Sequence, residues 1–135
     1  MAASHFEITF DGGALGNPGK GYGSYRIKAD GVPGPVVRLE YSQNGEMVTN
    51  NQAEYRTLLA GLQSILDQVG PDASQTTVDV LGDSKLVIEQ LAGRWKVKNA
   101  DLQVLAATGK ALIKQFGTVR LTWHGRANSV KVLGH

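Results

Sequence analysis

The chain has 135 residues, 41% of them hydrophobic, no cysteine and a formal net charge of +2. That length and apolar content fit one domain, residues 1–135, with a core of its own, and the missing cysteines exclude a disulfide framework and a thiolate metal site. No apolar run approaches the roughly 18 residues of a spanning helix, and Met1-Ala2-Ala3-Ser4-His5 lacks a signal pattern, so a cytoplasmic protein, monomeric and without a membrane partner, is expected.

The charge is unevenly placed. Residues 1–83 carry five Lys/Arg against ten Asp/Glu, and residues 84–135 carry nine against two. An acidic half that could hold metal is followed by a basic half that could hold a polyanion, though charge alone leaves a merely solvated surface equally open.

His5-Phe6-Glu7-Ile8-Thr9-Phe10 alternates apolar and polar and predicts a strand, which Asp11-Gly12-Gly13 ends. Gly21 to Lys28 is a second strand, reached through a loop containing Asn17-Pro18-Gly19. Val36 to Tyr41 is a third, so the first three form an antiparallel meander. From Asn50 to Val69 the period changes: Tyr55, Leu58, Leu59, Leu62, Ile65, Leu66 and Val69 follow helical spacing, and Gly70-Pro71 stops the helix. Thr76 to Gly82 is a fourth strand. Asp83-Ser84 opens a short helix ended by Gly93. Trp95-Lys96-Val97-Lys98-Asn99 is a basic, aromatic linker. Ala100 to Phe116 is a regular amphipathic helix, Val119 to Trp123 a fifth strand, and the tail holds one or two helical turns.

The order βββαβααβ predicts an α/β fold: a mixed five-stranded sheet, three antiparallel strands plus two parallel, with helices on its faces. Ligands in such sheets gather at the carboxyl ends of the strands. Asp11 and Asp83 both fall there, and Glu54 lies on the first turn of a helix, one turn before Leu58. Each has an ordinary alternative. Asp11-Gly12 is a common turn. Asn51 as N-cap would make Glu54 the far partner of a capping box. Asp83 could be the N-cap of the helix after it. Jointly they make a different object, because three converging carboxylates repel one another unless a hard cation neutralises them.

These pieces resemble ribonuclease H type 1: Thr9-Phe10-Asp11-Gly12-Gly13 with Gly16-Asn17-Pro18-Gly19, then Thr49-Asn50-Asn51-Gln52-Ala53-Glu54-Tyr55, then Gly82-Asp83-Ser84. The resemblance covers about His5 to Arg126 and includes the order of elements. It implies a ribonuclease H-like fold and an endonuclease cutting the RNA strand of RNA–DNA hybrids to 3′-hydroxyl and 5′-phosphate ends, with two Mg²⁺ or Mn²⁺ ions. Asp11, Glu54 and Asp83 match three of four acidic metal ligands. Gly12, Asn17, Thr49, Asn50, Asn51 and Ser84 match substrate-binding positions. Short amides suit the wide, shallow minor groove of an A-like helix and its 2′-hydroxyls. Trp95, Lys96, Lys98 and Asn99 fall at a duplex-binding edge in compact form, without the additional basic helix some relatives insert, and Arg126 belongs to the closing motif.

That motif is where the pattern breaks. The family closes with Arg-x-x-Asn-x-x-Ala-Asp, whose last Asp is the fourth ligand. Here the position falls on Val132 or Leu133, and no Asp or Glu side chain follows Asp101. Either His135 replaces the ligand, through its imidazole or the chain's α-carboxylate, or the second metal binds weakly. The second case favours a rival function: a nucleic-acid-binding module on the same fold. A related nuclease acting on double-stranded RNA or DNA junctions is a third reading. His124, at the end of the last strand, is expected to be a strand-end residue without chemistry.

Overall fold

The structure is a computed structural model and describes residues 4–134. Five strands form one sheet in the order β3-β2-β1-β4-β5. β1 (His5–Leu15), β2 (Lys20–Ala29) and β3 (Val32–Glu40) make the antiparallel meander; β4 (Thr77–Gly82) and β5 (Thr118–Trp123) add in parallel beyond β1. The expected mixed sheet, three antiparallel strands plus two parallel, is therefore the observed one. The helices are α1 (Asn50–Val69), α2 (Lys85–Leu91), α3 (Ala100–Lys114) and α4 (Arg126–Leu133), and a 3-10 segment, Gly70–Gln75, follows α1.

Strand alternation decides the two faces. Phe6, Ile8 and Phe10 of β1 and Val78 and Val80 of β4 are buried against Leu58, Leu62 and Ile65 of α1. α3 packs on α1 through Leu102, Ala106 and Leu112. The other face carries the odd-numbered residues of β1, and α4 crosses it: Arg26, opposite Thr9, donates to the carbonyl of Val132. Among the described residues helices thus lie on both faces, with the short α4 on the second.

One boundary differs from expectation in a way that matters. β1 does not end at Asp11 but pairs with β2 as far as Leu15. Glycines at 12 and 13 left the strand unrecognised, because a glycine run usually marks a turn. Asp11 nevertheless reaches an end of the sheet. β4 stops at Gly82, opposite Phe10, so β1 runs on beyond its parallel neighbour.

Candidate metal centre and nucleic-acid interface

Asp11 and Asp83 each follow the last paired residues of β1 and β4, Phe10 and Gly82. The parallel register therefore sets them side by side. Trp123 ends β5 opposite Gly82, and its indole N–H donates to the Asp83 carbonyl at 3.1 Å, fixing the backbone there. Lys85 sits over the Trp123 ring, 5.9 Å from its centre. Glu54 arrives from the other layer. Its approach depends on Gly12, where a Cβ would stand 2.7 Å from the Ala53 carbonyl carbon and 2.8 Å from the Glu54 nitrogen. Only a residue without a side chain lets the first turns of α1 lie this close to β1.

The capping alternatives are resolved by the helix ends. The N-cap of α1 is Thr49, whose hydroxyl accepts from the Gln52 N–H while the Gln52 side chain accepts from the Thr49 N–H. The capping box is Thr49 with Gln52, three residues on, and not Asn51 with Glu54. Glu54 lies a half-turn further in and does no capping. At α2 the cap is Ser84, which accepts from the Val87 N–H at 3.3 Å, so Asp83 is not a cap either.

With those duties removed, the three carboxylates converge. Asp11, Glu54 and Asp83 are half-buried, and each offers an oxygen within 4.8 Å of the others. Glu54 is pushed up to about 7: burial is the main cause, the charges of Asp11 and Asp83 add to it, and a hydrogen bond with the Ser84 side chain opposes it. Burial beside like charges is the electrostatic condition that a divalent cation relieves, and the three carboxylates form an all-oxygen donor set of the kind hard cations take.

The residues expected to bind substrate fall into two groups. Around the carboxylates, Asn17 Oδ1 accepts from the Asn50 N–H at 3.1 Å, and Asn50 Oδ1 accepts from the Ala14 N–H at 2.8 Å. The loop between β1 and β2 is thereby tied to the start of α1. Asn51 lies half-buried beside them. Thr49 accepts at its hydroxyl for the cap, which leaves its O–H for a second partner, whereas Ser84 accepts from the Val87 N–H and also hydrogen-bonds Glu54. Gly12 donates its N–H to Asp11 Oδ1 at 2.9 Å.

The second group lies on the segment between α2 and α3. Gln90 and Gln103 donate to the Lys96 and Val97 carbonyls, which fixes the segment on both helices. Trp95 is 46% exposed. Lys96 and Lys98 are exposed, whereas Arg94 beside them is held by both oxygens of Glu89 at 2.6 and 2.8 Å. Asn99 is the N-cap of α3.

At the other end of the chain, Leu133 is buried and Val132 half-buried, so neither candidate position for the fourth acidic ligand supplies a donor side chain. His135 lies outside the described residues. His124 hydrogen-bonds Ser129 at 2.8 Å, which ties the end of β5 to α4. The contribution missed from sequence is that of Trp123; its only signal was that it ends the strand beside the one leading to Asp83.

Comparison with known proteins bears on this arrangement. The family described as "Reverse transcriptase-like" matches residues 35–132. The N-terminal ribonuclease H domain of Rv2228c from Mycobacterium tuberculosis, solved as a fusion with maltose-binding protein, superposes with a TM-score of 0.82 at 35% identity, over 96% of this chain and 88% of that one. This chain belongs to the ribonuclease H type 1 family. The whole "Bifunctional protein Rv2228c" is 43% identical over 123 residues, which are 90% of this chain but 32% of that protein. This chain thus spans about a third of the length of such curated relatives. "Ribonuclease HI" of Halobacterium salinarum is 33% identical over 89% of this chain and 56% of its own length. The family's structures also include LC11 ribonuclease H1 in complex with an RNA/DNA hybrid, with a TM-score of 0.82 at 25% identity over 94% of this chain and 90% of that one.

Proposed function

We propose that this protein is a metal-dependent endonuclease that hydrolyses the RNA strand of RNA–DNA hybrids, leaving 3′-hydroxyl and 5′-phosphate ends. The observation that carries the reading is the set of three carboxylates, from β1, α1 and the β4–α2 junction, whose oxygens lie within 4.8 Å of one another. Asp11, Glu54 and Asp83 would hold two Mg²⁺ or Mn²⁺ ions, with His135 as the candidate fourth ligand. Ions bound there supply an activated water and neutralise charge on the phosphodiester and its leaving oxygen.

The chain's own part is to place and orient. The Trp123 indole fixes the Asp83 backbone, Ser84 orients Glu54, and Gly12 sets the depth at which Glu54 meets Asp11. Asn17, Thr49, Asn50 and Asn51 face the minor groove and its 2′-hydroxyls. Trp95, Lys96, Lys98 and Asn99 take the backbone of the duplex on one side and Arg126 takes it on the other. Such contacts read shape and sugar, so sequence preference is weak. The protein acts as a monomer.

A second reading is favoured by one observation. The family's last acidic position is filled by buried Leu133 or half-buried Val132. A chain without that ligand would hold hybrids and cut them poorly. One experiment separates the readings. Labelled RNA–DNA hybrid, RNA duplex and DNA duplex are incubated with Mg²⁺ or with Mn²⁺. Cleavage of the hybrid's RNA strand alone is expected. Binding without product under either metal would establish the binding module, and cutting of the other duplexes would establish a different nuclease.

A further inference from the structure

Four of the six arginines in the sequence are engaged within the fold. Arg26 donates to the Gly34 and Val132 carbonyls; Arg56, Arg94 and Arg120 pair with Glu46, Glu89 and Asp79. Among the described residues, Arg38 and Arg126 have no such partner. The two bracket the carboxylates. Arg126 opens α4 beyond β5, whereas Arg38 lies on β3, at the opposite edge of the sheet.

The strand register places Arg38 more closely. Asp11 is opposite Ser24, and Ser24 is opposite Arg38. Directly opposed residues on antiparallel strands share a face. The neighbours of Ser24 point to α1: a Cβ on Gly23 would run into the Thr57 hydroxyl, and the Tyr25 ring lies against Gly61. The row Asp11, Ser24, Arg38 is therefore on the other face, and Arg38 is exposed there. Two strand spacings put its backbone about 10 Å from that of Asp11. At a rise of about 3.4 Å per nucleotide along one strand, this is roughly three nucleotides, fewer once the side chain reaches back.

The surface between them is shaped as well as charged. Tyr22, opposite Gly13, lies across it: a Cβ on Gly13 would stand 2.6 Å from the Tyr22 hydroxyl. Tyr22 is 43% exposed. With Ser24, Arg38 and Glu40 it lines a shallow depression of about 280 Å³. Glu40 is the opposing charge, two residues further on the same face, but it forms no ion pair with Arg38 and its contact is with Gln43 at 3.5 Å. A free guanidinium is the group best matched to a phosphate, which it can hold through two parallel hydrogen bonds.

We infer that Arg38 holds a backbone phosphate of the strand to be cut, within about three nucleotides of the scissile bond on the β3 side, with Tyr22 packing against the intervening sugar. This rests on the proposed function and adds to it a residue that no motif of the sequence singled out. The test compares wild type with R38A, R38K and, as a control for net charge, R120A. Steady-state cleavage of a labelled hybrid gives KM and kcat. Hybrid binding in metal-free buffer across a salt series gives the slope of log K against log salt. For R38A, KM is expected to rise about 3- to 10-fold with kcat unchanged, and the salt slope to become shallower by about 0.7–0.9. R38K should keep the slope and recover part of KM, and R120A should keep the wild-type slope. If the wild type cuts and binds hybrid but R38A matches it at every salt concentration, the Arg38 inference alone is overturned. If the wild type neither binds nor cuts hybrid, the proposed function fails and takes this inference with it.

Discussion

The two ends of the β1–β4 pair handle negative charge in opposite ways. Near the strand starts, Asp79 receives both Arg120 nitrogens at 2.5 and 3.0 Å and faces His5 Nε2 at 2.7 Å. Those partners, Arg120 foremost, hold its carboxyl below the usual range. Four residues later, about 13 Å along β4, Asp83 joins Asp11 and Glu54, and Glu54 is pushed up to about 7. At one end Asp79 of β4 is paired with Arg120, and at the other the carboxylates that follow β1 and β4 crowd against Glu54 of α1. The paired Asp79 is stabilised in its charged form and the clustered Glu54 is destabilised in its own, which is the condition a divalent cation relieves.

The largest expected effect is on turnover. Asp11→Asn keeps the side chain's shape and removes a ligand charge. Loss of groups that only support a ligand typically costs 10- to 100-fold, so removal of the ligand should lower kcat by more than about 100-fold, with the far-ultraviolet circular dichroism unchanged. Turnover within a few-fold of wild type would break the contrast between the two ends.

A smaller effect concerns stability without metal. The Glu54 carboxyl is raised from 4.5 to about 7 in the fold. The folded state then binds the extra proton between those values, so stability falls as pH rises from about 4.5 to 7 and the penalty is complete above 7. Its size is on the order of 3 kcal/mol. Glu54→Gln removes it. In chelator at pH 8 the variant should melt several degrees above wild type, and near pH 4 the two should coincide. Adding Mg²⁺ or Mn²⁺ at pH 8 should raise the wild-type Tm more than the variant's. Equal melting in chelator at pH 8 would show that the cluster is not under electrostatic strain.

Much of this was legible in the sequence because it rests on periodicity. Helical spacing from Tyr55 to Val69 and alternation through Phe6, Ile8 and Phe10 give the layers, and the order of elements gives the parallel pair that joins Asp11 to Asp83. Less legible were features set by which of several similar groups wins a local contest. Thr49, Asn50 and Asn51 can all cap a helix, and only the backbone conformation of Thr49 decided that Gln52, and not Glu54, completes the box. Glycines hid the last four residues of β1, since nothing in Gly12-Gly13 announces that α1 will pack against them. The engagement of Arg94 by Glu89 spans one turn past a helix end, where the regular spacing of side chains no longer applies.

The smallest effect tests the satisfied end. Asp79→Asn keeps the hydrogen-bonding shape and removes the charge that Arg120 and His5 face. Both partners are substantially exposed, with side-chain exposures of 60% and 45%, so the pairing is screened and contributes less than about 1 kcal/mol. A carboxyl held below its unfolded value stabilises the fold above about pH 4, and loses that contribution as pH falls through its folded value. The variant should therefore melt slightly below wild type at pH 7, less so in high salt, with the gap closing in acid. Turnover and metal binding should not change, because the substitution lies at the far end of the sheet. A loss of turnover comparable to that of Asp11→Asn would mean that the two ends are coupled through β4, and that the pairing of Asp79 with Arg120 serves the metal centre after all.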